Sequence, residues 1–238
     1  MRYLLLCVFS VACIAQSPTP SSTPDGGTVT FVAEDKAAIG AIRSIALQSR
    51  VPLGIALGRD WTRLCVETQS FKLVDLNPER ALMEIASKTG FTLKKDGRAL
   101  VLEAPDLESW QRDLLDHQFD SYPAESNVTM AGLGATLSMW VKMEVGTVHT
   151  VAGSILSSKD SHRFSLGAIR SASVERLADR IVSLNGGGVW MLRPDKRNPR
   201  SANEEEIRVF SYLDDAQEIE QLGCGHSASV PPAQPSSD

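Results

Sequence analysis

No stretch of this 238-residue chain stays apolar for the roughly 18 residues that a bilayer-spanning helix needs, so no transmembrane span is predicted in the mature chain. Cysteine is scarce, with 4 in the whole chain and no CxxC pair, which leaves a thioredoxin-like redox role or a cysteine zinc site without support. Lysine and arginine do not cluster, and the net charge is −5. Nucleic acid and anionic lipid both demand clustered cations, so neither is an expected partner. The one short basic patch, Lys196, Arg197 and Arg200, is followed at once by Glu204, Glu205 and Glu206 and reads as a solvated loop. No G-x-S-x-G elbow occurs. The triple glycine at 186–188 follows a predicted helix, whereas a phosphate loop precedes one. No cofactor, no metal and no catalytic residue is therefore named, and a non-enzymatic chain is expected.

The N-terminus has the pattern of a secretory signal. Arg2 supplies a positive start, and 3–14 form an apolar run too short to anchor the chain. Cys13-Ile14-Ala15 presents small residues at the −3 and −1 positions of a cut after Ala15. The competing reading is a lipobox, Ser10-Val11-Ala12 before Cys13, which would lipidate Cys13 and make an outer-membrane lipoprotein. Either way the expected location is outside the cytoplasm, periplasmic or secreted. Removing the signal leaves Cys65 and Cys224, which an oxidising compartment permits to pair and which the sequence alone does not join.

Residues 16–28 and 223–238 are rich in Ser, Pro and Gly or otherwise poor in apolar residues, and read as a flexible tether and a disordered tail. Between them lies an internal repeat. The run Asn77-Pro78-Glu79-Arg80-Ala81-Leu82-Met83-Glu84-Ile85 matches Ser173-Val174-Glu175-Arg176-Leu177-Ala178-Asp179-Arg180-Ile181. Each starts on an N-cap residue, carries Glu in its first turn and keeps its apolar residues on one face. Strand-like runs at 70–74 and 163–166 precede the helices, and Gly90 and Gly186 stop them. Asp96-Gly97 between apolar runs predicts a hairpin. An earlier helix is read in each copy, from Ile39, Ile42 and Ile45, and from Leu133, Leu137 and Trp140. The expected fold is α+β: two tandem βαββαβ modules, at 29–106 and 116–213, with 207–212 adding an edge strand to the second.

The first copy resembles the secretin and TonB N-terminal short domain. The resemblance is carried by Phe31, Ala41-Ile42-Arg43-Ser44-Ile45-Ala46, Phe71-Lys72-Leu73, Ala81-Leu82-Met83-Glu84-Ile85-Ala86, Gly90-Phe91 and Leu100-Val101-Leu102. It covers about a third of the chain, and the second copy is a weaker relative. It implies a small periplasmic contact module whose partner is another envelope protein. It carries over no catalytic residue, and no pore-forming region follows it here.

Among side chains, Trp110 in the segment joining the copies is the candidate contact residue, with Tyr122 nearby. The alternative is an extracytoplasmic hydrolase or metal-binding enzyme. Asp113, Asp116, His117 and Asp120 would share a helix face, and Asp160-Ser161-His162 supplies the residue types of a triad. Both groups read more simply as solvated, since triad members meet through space and sequence neighbours point apart. Trp140 and Trp190 fall on apolar faces and read as core.

Overall fold

A computed structural model describes residues 27–145, 162–194 and 205–220. The expected signal, most of the tether and the C-terminal tail lie outside these residues, as do Lys196, Arg197, Arg200, Glu204, Asp160, Ser161 and Cys224. The first half of the chain runs β1 (Val29–Ala37), α1 (Ala38–Ser49), β2 (Leu53–Ala56), the short α2 (Arg63–Val66), β3 (Thr68–Leu76), α3 (Pro78–Thr89), β4 (Thr92–Asp96) and β5 (Ala99–Glu103). The second half runs α4 (Ser109–Asp116), β6 (Gln118–Tyr122), β7 (Glu125–Val128), α5 (Met130–Val145), β8 (Phe164–Leu166), β9 (Ile169–Ser173), α6 (Val174–Val182), β10 (Gly188–Pro194), β11 (Glu205–Ser211) and α7 (Ala216–Glu220). The fold is mixed α+β, as the sequence predicts.

The repeated helices form for the reasons their sequences give. Asn77 Oδ1 accepts from the Arg80 N–H at 2.8 Å, and Ser173 Oγ accepts from the Arg176 N–H at 3.2 Å. Pro78 occupies the first turn of α3, and Gly90 ends it in a left-handed conformation, φ 77°. Ala81, Leu82 and Ile85 are buried on α3, as are Leu177, Ala178 and Ile181 on α6. The β4–β5 hairpin closes with Asp96 opposite Ala99.

The strand entering each repeated helix is β3 or β9. The 163–166 run, expected to fill that place in the second copy, is β8, which pairs with β7 in a separate ribbon. Once β9 replaces it the correspondence is close: β1 pairs antiparallel with β3, and β6 pairs antiparallel with β9. A further likeness lies in the backbone. Asp35, Asp75, Asn127 and Ser171 have positive φ, between 48° and 57°. Each lies two positions before the residue that opens α1, α3, α5 or α6, namely Ala37, Asn77, Thr129 and Ser173. Four strand-to-helix corners are thus turned by one device, a single residue at positive φ, and three of the four are Asp or Asn, the types that tolerate it.

The two halves share one sheet. Its order is β11-β10-β2-β5-β4. The seam is parallel pairing of β10 with β2, from Val189 opposite Leu53 to Leu192 opposite Ala56. Tyr212 Oη donates to the Val51 carbonyl at 2.7 Å beside this seam. Gly54 is required here, because a Cβ would lie 2.4 Å from the Trp190 ring. The segment joining the halves is packed: Leu114 and Leu115 of α4 are buried, and Gln111 Nε2 donates to the Leu57 carbonyl at 3.1 Å. Strand β11 takes the expected edge position.

Candidate functional site

A groove of about 810 Å³ opens where the β4–β5 turn faces β9 and α6. Asp96, Gly97 and Arg98 come from the turn, residues 168–172 from β9 and the turn before it, and Arg176, Asp179, Arg180 and 183–185 from α6 and its exit. Its size is that of a ligand site, and its lining is mostly polar. Arg98, Arg170, Arg176 and Arg180 are all exposed, and none forms an ion pair with another described residue. In a chain of net charge −5 this local excess of cations is out of keeping with the composition. Arg176 and Arg180 stand one helical turn apart on the solvent side of α6, opposite the buried Leu177, Ala178 and Ile181.

The groove has a buried acid at its base. Asp179 is 4% exposed, and its Oδ1 accepts from Trp190 Nε1 at 2.6 Å. Its other oxygen, Oδ2, has no hydrogen-bond partner among the described residues. Burial pushes the carboxyl up to about 7, against the opposing pull of the Trp190 N–H, with Glu175 and Asp96 adding like charge. Burial also raises Glu175 in the turn before it. The arrangement offers several exposed cations, plus one acid that changes protonation near neutral pH. It can hold an anion by charge-assisted hydrogen bonds.

The residues singled out in the sequence lie elsewhere. Trp110 on α4 is partly buried, and its indole N–H donates to Glu108 Oε2 at 2.5 Å. Glu108 Oε1 in turn bridges to Arg59 at 2.7 Å. Trp110 therefore forms part of a local polar cluster and is not among the groove residues. Tyr122 is 1% exposed, packs beside Trp140 with ring centroids 6.2 Å apart, and has a buried hydroxyl without a hydrogen-bond partner among the described residues. A ring with almost no accessible surface offers nothing to a partner, and the expected contact role of Tyr122 is withdrawn. Trp190 is core, as read from its apolar face.

His117 caps the C-terminal end of α4, with Nε2 3.4 Å from Glu144 Oε2. Asp113 and Asp116 are on α4 while Asp120 is on β6, so the single helix face imagined for these four is broken at His117. His162 Nδ1 lies 2.8 Å from Asp214 Oδ1, and its backbone N–H donates to both oxygens of that carboxylate at 3.1 Å. Among the described residues no group of three or more His, Cys, Asp and Glu is placed to hold a metal ion. Cys65 is disulfide-bonded, and every other cysteine of the chain lies outside the described residues.

Sequence reasoning missed the groove because its arginines come from three separate segments. Only Arg176 and Arg180 carry a local signal, an i,i+4 pair of like charge, and the sequence masks even that by placing Asp179 at i+3 from Arg176, where it reads as a surface ion-pair partner although it is buried. Comparison with protein-family models, with characterised proteins and with solved structures yields no match to this chain.

Proposed function

We propose that the chain is a non-enzymatic interaction module that works outside the cytoplasm and takes its partner in the groove between the β4–β5 turn, β9 and α6. The observation that carries this reading is the set of four exposed arginines around one concave surface, none of them ion-paired to a carboxylate among the described residues. A solvated arginine costs little to leave unpaired, but four facing one groove set up a local positive field in an acidic protein. The export reading draws on the Arg2 and Ala15 pattern and is in keeping with a disulfide at Cys65. The likeness of 29–106 to secretin and TonB short domains supports a contact role, with an envelope protein as partner.

The test is site-specific photocrosslinking in cells. A crosslinking residue at Asn185, exposed on the groove, should trap a defined partner, whereas one at Val32 on β1 should not. Substituting Arg176 and Arg180 by Gln should abolish the Asn185 adduct. Equal adducts from both positions, or an adduct indifferent to the arginines, would remove the groove from consideration.

A further inference from the structure

The chemistry of the partner can be taken one step further. Three features of the groove bear on it. First, five consecutive residues, 168–172, line it. Successive residues of a strand face opposite sides, so a run of this kind means that the edge of β9 borders the groove. Among the described residues β9 pairs only with β6, which leaves that edge without a neighbouring strand. Second, Arg176 and Arg180 are separated by one helical turn, about 6 Å between their Cβ atoms. Alternate residues of an extended peptide repeat at about 6.6 Å, so two acidic side chains on one face of such a peptide match the two guanidinium groups. Third, the apolar part of the lining is small, made of Ala168, Ile169, Ala172 and Leu184.

We propose that the groove binds an extended acidic peptide segment of a partner protein, with carboxylates at alternate positions held by Arg176 and Arg180, and with Arg98 and Arg170 engaging the segment from the turn and from β9. The proposal rests on the reading of the groove as the partner site. Charge, more than strand addition, selects the ligand. Ser171 holds φ 48° in the middle of β9, which interrupts its edge and leaves only a short run of backbone able to pair. Carboxylate–guanidinium pairs are planar and can be bidentate, so they supply geometry as well as attraction. Asp96 and Asp179 are the two acids of the lining, and Asp179 is buried, so the exposed charge of the groove is chiefly that of the four arginines.

The probe is a fluorescein-labelled octapeptide of alternating Glu and Thr, titrated with the mature protein in fluorescence anisotropy. A Gln-Thr peptide is the uncharged control, and vesicles of phosphatidylglycerol and heparin are the competing polyanions. Binding of the Glu-Thr peptide alone, weakened at least tenfold by Arg176→Gln with Arg180→Gln and weakened by added salt, is the expected result. Both substituted residues are exposed, and an unchanged thermal melt confirms that the variant is folded. Equal binding of the Gln-Thr peptide, equal binding by the variant, or arginine-dependent binding of vesicles or heparin in preference to the peptide would each overturn the proposal. The crosslink at Asn185 separates the two levels. An arginine-dependent adduct with no peptide binding overturns the acidic-peptide proposal and leaves the groove as the partner site. Loss of both overturns both.

Discussion

Asp179 is where one side chain links the groove to the core. Its carboxyl is 4% exposed and bonded to Trp190, which lies over Gly54 of the central sheet. Its folded value, about 7, stands above the ordinary 3.8. The native state therefore holds a proton that the unfolded state releases between these values. Stability is full below about pH 4 as far as this group is concerned, falls as pH rises through 7, and is flat above. A shift of about 3 units corresponds to about 4 kcal/mol at most. We expect the melting temperature of the wild type to drop between pH 5 and pH 8, and Asp179→Asn to flatten that slope, since the amide oxygen still accepts from Trp190. A slope left unchanged in Asp179→Asn would show that other groups set it. The neighbouring Gly54 is a second single-residue dependence. Its missing side chain makes room for the indole, so Gly54→Ala must displace either the ring or strand β2. Overpacking of this kind costs about 1–3 kcal/mol, read as a lowered denaturation midpoint with unchanged m-value.

The secondary-structure elements were legible wherever local rules decide them. The caps at Asn77 and Ser173, the glycine stop at Gly90 and the Asp96-Gly97 hairpin follow from the residue types alone. Strand β2 was not legible. Leu53-Gly54-Ile55-Ala56 is four residues long and buried throughout, so it has neither the alternation of a surface strand nor the length that separates strand from helix. The left-handed corner residues were also invisible, because Asp, Asn and Ser are ordinary in any loop. These corners can be tested at Asn127, which is exposed and makes no described side-chain hydrogen bond. Asn127→Gly should leave stability unchanged or raise it, because glycine adopts φ 57° without strain. Asn127→Val should cost about 1–2 kcal/mol, because a β-branched residue resists that conformation. A chemical denaturation series of the three proteins orders them. Equal midpoints for the Val and Gly variants would mean that the corner is not held in this geometry.

At the scale of the whole molecule, the repeat is present but its copies are not independent. A sequence repeat reports which elements recur and says nothing of which edges meet, since parallel pairing between distant strands depends on edges that no local pattern marks. Here β10 of the second half lies beside β2 of the first, and a continuous apolar core runs through both halves. The joining segment is a packed helix, so little remains to let the halves open separately. This predicts one cooperative transition. Leu82 on α3 is fully buried and Ala178 on α6 is 1% exposed. An unpaired carboxylate at either place costs several kcal/mol, comparable to the whole stability of a domain. Leu82→Asp should therefore remove protection from the distant α6 and β10 as well as from α3, and Ala178→Asp should do the same to β2 and β5. Hydrogen exchange read by mass spectrometry resolves these segments individually. Native-like protection of α6 and β10 in Leu82→Asp would mean that the second half folds alone and that the β10–β2 seam adds little. Loss of protection throughout would show that the groove, built from α6, β9 and the β4–β5 turn, exists only when both halves are folded.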